Sequence, residues 1–168
     1  MNQELDKQRL IKHLQEDIYC RIGVTKTHGV GVIAIRDIPK NTNPFNNLST
    51  YKKEKIINLT NDDLKNVNKN VVKILGDFFD GVGSGLYNIL YEGPNYMNIS
   101  YYMNHSTNPN IIPVDIPELS NFYSFVSLRD IKEGEELTFD YTKFSNNGVI
   151  NNNDINKKLK YYKFNMQL

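Results

Sequence analysis

A polar segment, residues 102–110, lies between two apolar segments in the second half of the chain and constrains the fold more than any other feature. Pro109 disfavours the helical region for Asn108, so we predict a fixed, extended turn here. An ordinary surface turn would also explain the composition, because asparagine, serine and proline all favour turns. Side chains that can hydrogen-bond are nevertheless concentrated here, as in a binding site: Asn104, His105, Ser106 and Asn108.

The composition is that of one globular domain. The chain has 168 residues, of which 39% are hydrophobic and 23% charged, enough for one core but cramped for two. Its formal net charge is +1, so the overall charge gives no reason to expect a direct nucleic-acid partner. Residues 1–14 contain no apolar signal core, and no later window approaches about 18 apolar residues. We therefore predict a soluble, intracellular protein with no membrane partner; nucleus or cytoplasm, and oligomeric state, stay open.

Cysteine and histidine give no basis for a metal site. Cys20 is the only cysteine, which excludes an intramolecular disulfide and a cysteine-rich zinc cluster. His13, His28 and His105 lack both the spacing and the cysteine partner of a zinc site. We therefore predict no bound metal.

Hydrophobic periodicity predicts many short strands and few helices. Apolar residues at helical spacing predict an amphipathic helix over residues 4–15. Thr60 and Asp63 form a capping box, which predicts a second helix over residues 61–79. After a low-complexity segment, Asp154 is a candidate N-cap for a last helix. Alternating or short apolar runs predict the strands: residues 18–24, 30–35, 86–91, 111–114, 122–128 and 137–141.

Three separate segments match the motifs of one family. They are residues 28–32 (H-G-V-G-V), residues 104–110 (N-H-S-T-N-P-N) and residues 134–141 (G-E-E-L-T-F-D-Y). In this order and at these separations they resemble the motifs of the SET-domain family of protein lysine methyltransferases. The resemblance spans about residues 18–141, and the second and third motifs are its most specific parts.

The resemblance implies a β-rich α+β architecture, the SET-domain fold of small, curved β-sheets. In this fold the second and third motifs are threaded past each other in a C-terminal pseudoknot, which brings distant parts of the chain together. The chain would then have an N-terminal helical extension (residues 1–17) and a SET domain (residues 18–142) with an inserted helical region at about residues 50–85. Residues 143–168 would form an asparagine-rich linker and a C-terminal helix.

The same resemblance implies that the cofactor is S-adenosylmethionine and the substrate a protein with a target lysine, histone or non-histone. The lysine would enter a narrow channel from the face opposite the cofactor. The backbone of Gly29, Val30 and Gly31 is expected to meet the cofactor, glycine being suited to close approach. Asn104 and His105 are expected to hold the amino-acid portion and the adenine. The other expected cofactor-binding residues are Tyr102, which precedes the second motif, and Tyr141 of the third motif.

Two aromatic residues of the third motif carry the expected catalytic roles. Tyr141 matches the family's active-site tyrosine, whose hydroxyl lies near the transferred methyl group. Without the resemblance, a tyrosine that ends a strand is more simply a core residue with a backbone partner. Phe139 occupies a position where the family has phenylalanine or tyrosine. Since phenylalanine has no hydroxyl to hold water in the space of a methylated amine, the resemblance implies di- or trimethylation.

The match fails at one wall of the lysine channel. The family's Y-x-G-E segment, which contributes another active-site tyrosine, is missing, and residues 43–45 (N-P-F) occupy that region. Phe45 is therefore a candidate replacement. Tyr161, Tyr162 and Phe164 either cover the channel from the last helix or merely pack that helix. A catalytically inactive SET-like module that binds a protein or peptide stays open as the alternative function.

Overall fold

A computed structural model describes residues 3–26, 29–46, 55–79, 83–114 and 124–142. Within these ranges the regular structure consists of two α-helices, eight short strands and short 3₁₀ turns. The helices are α1 (Gln3–Glu16) and α2 (Lys69–Phe79). The strands are β1 (Cys20–Val24), β2 (Val30–Ala34), β3 (Ile56–Thr60), β4 (Leu86–Leu90), β5 (Asn104–His105), β6 (Ile111–Val114), β7 (Ser124–Ser127) and β8 (Glu136–Phe139).

Some predicted features lie outside the described residues. They are His28, the first two residues of the predicted strand 122–128, and the whole predicted linker and helix over residues 143–168. The predicted domain boundaries at residues 17 and 142 stay predictions.

The central sheet contains four strands in the order β1-β2-β8-β5. β1 and β2 pair antiparallel, and β8 runs antiparallel to β2 with Leu137 opposite Val32. β5 then joins the other edge of β8 in a parallel pairing. Because side chains alternate along a strand, β2 directs both Val32 and Ala34 into the core. The strands predicted over residues 18–24 and 30–35 are confirmed, with small shifts at their ends.

One cluster of buried apolar residues forms the core beneath this sheet. Ile38 and Ile131 are completely buried, and their backbones exchange two hydrogen bonds of 2.8 and 2.9 Å. Burying a side chain of this size stabilises a fold by about 1.5–3 kcal/mol. This pair therefore fixes the loop after β2 against the turn before β8. The cluster also contains Val32, Ala34, Met103, Ile111, Leu137 and Phe139.

Two smaller sheets complete the architecture and confirm the predicted fold of small sheets. β6 pairs with β7, and β3 pairs with β4, both antiparallel. Helix α2 connects β3 to β4 and buries Leu75 and Phe79 in a second core with Tyr87 and Ile89 of β4. The region predicted as a helical insertion at about residues 50–85 is thus only partly helical, because it contains β3, a strand that the periodicity did not reveal.

The predicted helix over residues 61–79 begins late, at Lys69. Thr60 and Asp63 do interact, through Thr60 N–H and Asp63 Oδ2 at 2.8 Å. However, Thr60 is the last residue of β3, so the capping-box contact closes a turn after a strand instead of starting a helix. Asn68 caps the helix, since its Oδ1 accepts the N–H of Asn70 (2.9 Å).

Helix α1 confirms the predicted helix over residues 4–15, but its apolar residues do not face the core. Leu10 and Leu14 are 47% and 56% exposed, whereas His13 is buried. The helix is held at its C-terminal end by Arg36, which donates to the carbonyl oxygen of Gln15 and stacks over the ring of Tyr19 at 4.5 Å. An arginine here satisfies a carbonyl that the end of the helix leaves unpaired.

Two features are absent from the part of the chain that the structure describes. No helix there is long and apolar enough to cross a membrane. No three histidine, cysteine, aspartate or glutamate side chains there are grouped so that they could hold a metal ion.

Candidate active site

Strands β5 and β8 bring the second and third motifs together. Asn104 lies opposite Thr138, and His105 lies opposite Phe139. The backbone N–H of Ser106 extends the contact by donating to the carbonyl oxygen of Phe139 (3.1 Å). The two motifs therefore lie side by side, as the predicted pseudoknot requires.

Asn110 secures this junction from the end of the second motif. Its side chain is buried, and Nδ2 donates to the carbonyl oxygen of Glu136 (2.8 Å) while Oδ1 accepts the N–H of Thr138 (2.9 Å). The amide therefore pairs with β8 as a neighbouring strand would, and its burial leaves neither polar atom unsatisfied. The motif match included Asn110 without a role, and the structure gives it this structural one.

Asn104 is the centre of a hydrogen-bonded cluster between β2 and β8. Its Nδ2 donates to the carbonyl oxygen of Val30 (2.9 Å) and to Oε1 of Glu136 (2.7 Å). Because both amide hydrogens are used, Oδ1 is the atom that can accept a hydrogen bond from a ligand. Glu136 was not predicted as a site residue, although its position in the third motif was a signal that could have identified it.

Gly31 lies directly against this cluster. A Cβ atom at Gly31 would lie 2.5 Å from Cγ2 of Thr25, 2.6 Å from Nδ2 of Asn104 and 2.8 Å from Oε1 of Glu136. The close approach that requires glycine here is thus made by the protein's own side chains. Gly29 needs glycine for another reason: its φ is 79°, a left-handed conformation that glycine adopts without steric cost.

His105 uses one ring nitrogen within the protein. Its Nδ1 accepts the backbone N–H of Tyr141 at 3.2 Å. An accepting nitrogen carries no hydrogen, so the ring holds its proton on Nε2. A carboxylate oxygen of Asp140 lies 3.9 Å from Nδ1, too far to compete as a hydrogen-bond partner. His105 therefore offers its Nε2–H group as a donor to a ligand.

Tyr141 has a fixed hydroxyl on a half-exposed side chain. The hydroxyl donates to the carbonyl oxygen of Met103 at 2.7 Å, and the residue is 46% exposed. Partial burial, and then the nearby Glu136 carboxylate, raise the pKa of Tyr141, so the phenol keeps its proton at neutral pH. Its hydrogen is committed to Met103, which leaves the oxygen lone pairs to accept an N–H group from an amine. The sequence alone would have made Tyr141 a core tyrosine with a backbone partner. The backbone partner is present, but a side chain that is half exposed is not a core residue.

Five rings, each in contact with the next, form what we name the aromatic row: His105, Tyr141, Phe139, Phe125 and Phe45. The ring of Tyr141 lies 5.2 Å from that of His105 and 4.7 Å from that of Phe139. Phe125 follows at 5.7 Å from Phe139, and Phe45 follows at 5.7 Å from Phe125. The structure thus connects Phe45, the candidate replacement for the missing tyrosine, to Tyr141 through two intervening rings.

Tyr102 and Val30, two other residues expected at the cofactor, are not part of the aromatic row. Tyr102 is half-buried, with its ring 5.7 Å from that of Phe78 in α2. Val30 is 52% exposed, and its carbonyl oxygen is engaged by Asn104. The structure gives Tyr102 a packing role and Val30 a role in positioning Asn104. Contact of either with a cofactor stays a prediction, as it does for the two glycines.

A separate cavity of about 270 Å³ opens beside α1, and we name it the α1 cavity. It is lined by residues of α1, the start of β1, the loop after β2 and the 3₁₀ turn near Ile99. Phe45 belongs to its lining as well as to the aromatic row. Cys20 also lines it, and its thiol donates to the carbonyl oxygen of Pro44 at 3.7 Å.

Cys20 is expected to react slowly with alkylating reagents in the folded protein. Burial raises the pKa of its thiol from 9.0 to about 12. At about pH 8 only on the order of one thiol in ten thousand is then the reactive thiolate. Iodoacetamide labelling followed by mass spectrometry checks this against the denatured chain as control. Labelling of the native protein as fast as that of the denatured chain would contradict the placement of Cys20.

The chain matches one family model and is similar to known histone-lysine N-methyltransferases over part of its length. Residues 29–142 match the family model described as SET domain. The Drosophila melanogaster histone-lysine N-methyltransferase Su(var)3-9 is 40% identical over 67 residues, which cover 34% of this chain and 10% of that protein. The Gallus gallus histone-lysine N-methyltransferase SUV39H2 is 34% identical over 83 residues, covering 39% and 19%. The chain thus spans less than a fifth of the length of these relatives.

Two solved structures are similar to the chain. A Plasmodium falciparum protein named as a histone methyltransferase has a TM-score of 0.41 and 19% identity, covering 73% of this chain and 92% of that one. A humanized mutant of the Chaetomium thermophilum Polycomb Repressive Complex 2, bound to an inhibitor, has a TM-score of 0.43 and 22% identity, covering 74% and 15%.

Proposed function

This chain belongs to the SET domain family, and from this premise we propose that it is an S-adenosylmethionine-dependent protein lysine N-methyltransferase. The substrate is the ε-amine of a lysine in a protein, histone or non-histone. The observation that carries the proposal is Tyr141: its hydroxyl is fixed on the Met103 carbonyl at 2.7 Å, on a side chain that stays half exposed. The rings of His105 and Phe139 both contact the ring of this tyrosine.

The groups around Asn104 fit the cofactor. The α-ammonium group of S-adenosylmethionine needs acceptors, and Asn104 Oδ1 and the adjacent Glu136 carboxylate are of that kind. The Nε2–H group of His105 suits the ring nitrogens of adenine. When bound, this cofactor supplies the methyl group and a positively charged sulfonium.

The contribution of the chain itself is positioning and desolvation. A lysine amine has a pKa of about 10.4, so presenting it neutral at pH 7 costs roughly 4–5 kcal/mol. The apolar rings of Phe139 and Phe125 disfavour the ammonium and so lower that pKa. The Tyr141 oxygen then accepts an N–H group and directs the nitrogen lone pair. Alignment of reacting groups can account for about 7–11 kcal/mol of a reaction barrier.

Labelled S-adenosylmethionine, mixed with the full chain and a panel of histones and ribosomal proteins, tests the proposal. We expect methyl transfer to lysine in a protein of the panel and cofactor binding measurable by isothermal titration calorimetry. No transfer together with no cofactor binding would overturn it. A panel protein that binds this chain, when neither methyl transfer nor cofactor binding is detected, would instead support the inactive protein-binding module.

Phe139→Tyr is expected to shift the products from di- and trimethyl-lysine towards monomethyl-lysine. Phe139 is buried with its ring 4.7 Å from that of Tyr141, so an added hydroxyl would enter the site beside the phenol. Water held by that hydroxyl would occupy the space of a methylated amine. Mass spectrometry of the methylated protein gives the product ratio, and Phe125→Tyr, one ring farther from Tyr141, is the control. An unchanged ratio in Phe139→Tyr would remove its role in product choice.

A further inference from the structure

The α1 cavity combines apolar walls with a single acidic group. Tyr19, Phe45 and Ile99 are among the residues that form its apolar surface. Asp17 is the only carboxylate among the lining residues of the described chain, and no lysine or arginine is among them. When His13 is neutral, the cavity therefore carries one negative charge and no positive one.

His13 and Asp17 form a fixed pair in this lining. Nδ1 of His13 lies 3.0 Å from Oδ2 of Asp17, and the two side chains are 10% and 39% exposed. A neutral imidazole that donates from Nδ1 leaves the charge on Asp17, whose second oxygen can accept from another donor. Arg36 holds the end of α1 through the Gln15 carbonyl, so the pair sits on an anchored element.

We propose that the α1 cavity binds an arginine or lysine side chain of the protein substrate. At about 270 Å³ the cavity is smaller than the roughly 300–1,000 Å³ of small-molecule sites, which suits a single side chain. Asp17 can accept charge-assisted hydrogen bonds from a guanidinium or ammonium group. The alkyl stem of the basic residue can lie along the apolar wall, and the ring of Phe45 attracts its cationic end.

Phe45 connects this cavity to the active site, so the inference rests on the proposed function. Successive ring centroids from Phe45 through Phe125 and Phe139 to Tyr141 are 5.7, 5.7 and 4.7 Å apart. An extended chain advances about 3.3 Å per residue, so a peptide segment of about five residues is long enough to span this separation. The cavity therefore selects substrates with two basic residues close in sequence.

Peptides with one central lysine in a glycine, serine and alanine background test this inference. Each carries one arginine, placed in turn at every position within about five residues of the lysine, and its match carries uncharged citrulline there. Binding to the full chain is measured by fluorescence anisotropy, without methyl transfer. We expect arginine to improve affinity about tenfold over citrulline at one position, the effect of one charge-assisted hydrogen bond. Equal affinities at every position would overturn the inference, with no variant needed.

The Asp17→Asn variant tests whether the preference for arginine over citrulline arises in the α1 cavity. Asparagine can still accept the hydrogen bond from His13, so the variant removes the charge and keeps the pair. We expect the preference for arginine to disappear in Asp17→Asn and to persist in Asp6→Asn, which removes the same charge from an exposed position of α1. A preference that survives Asp17→Asn would overturn the inference.

Failure of this inference is distinguishable from failure of the proposed function. Transfer to peptides with no difference between arginine and citrulline would overturn the inference alone. An Asp17-dependent preference in binding, with no transfer and no cofactor binding, would overturn the proposed enzyme and support the cavity as a peptide site.

Discussion

Replacing Tyr141 with phenylalanine is expected to reduce methyl transfer by about 100-fold, which is typical of removing one preorganised polar group from an active site. The Tyr141 hydroxyl is fixed by the Met103 carbonyl at 2.7 Å, so in the proposed reaction its oxygen would accept from the amine without having to reorganise. Phenylalanine keeps the ring and its contacts with His105 and Phe139 but offers no oxygen. Cofactor affinity should change little, because Asn104 and His105 remain. Single-turnover rates and isothermal titration calorimetry separate the two effects.

Tyr87→Phe is the matched control for this variant. The Tyr87 hydroxyl donates to Oδ1 of Asn61 at 3.0 Å, in the unit formed by β3, α2 and β4. Each replacement removes one tyrosine hydroxyl and one hydrogen bond, which costs about 0.5–1.5 kcal/mol of unfolding free energy. Only Tyr141→Phe should lose transfer. Equal losses in the two variants would point to folding, and full transfer in Tyr141→Phe would remove Tyr141 from the reaction.

The meeting of the two motifs was predicted from the resemblance to the SET-domain family, whose fold threads them past each other in a pseudoknot. Asn104 and His105 were noted for their hydrogen-bonding side chains, and Tyr141 was singled out through the resemblance to the SET-domain family. The structure brings the three together through β5 and β8. Their local partners could not be predicted in the same way. That Glu136 would bind the Asn104 amide depends on the register in which β8 pairs with β2, and this is decided by long-range pairing.

Two departures of the structure from the local sequence pattern have a common physical origin in competition between local and distant contacts. Thr60 and Asp63 satisfy the pattern of a helix start, but Thr60 pairs with Leu86 in a sheet, so the helix is delayed. The apolar residues of α1 satisfy the period of a buried face, yet the helix is held by Arg36 at its end and exposes Leu14. In both places a correct local pattern is overridden by a contact that the sequence window does not contain.

Gly31→Ala is expected to weaken cofactor binding at least about tenfold and to destabilise the fold by about 1–3 kcal/mol, as overpacking does. The added Cβ would lie 2.5 Å from Thr25, 2.6 Å from Asn104 and 2.8 Å from Glu136, all of them impossible separations. Relief requires moving the Asn104 amide, whose two hydrogen bonds hold Oδ1 in place for the ligand. Urea denaturation measures the stability, and calorimetry measures the affinity.

Gly76→Ala is the control, because it adds the same methyl group where nothing lies within 4 Å. Gly76 lies inside α2, so alanine should stabilise the helix by about 0.8–1.0 kcal/mol and leave cofactor binding unchanged. The same substitution thus has opposite effects on stability at the two positions, which excludes a general effect of the added methyl group. Wild-type stability and affinity in Gly31→Ala would contradict the packing of Asn104 against β2. Lost affinity at wild-type stability would instead show that Gly31 itself meets the cofactor, as the sequence resemblance predicts.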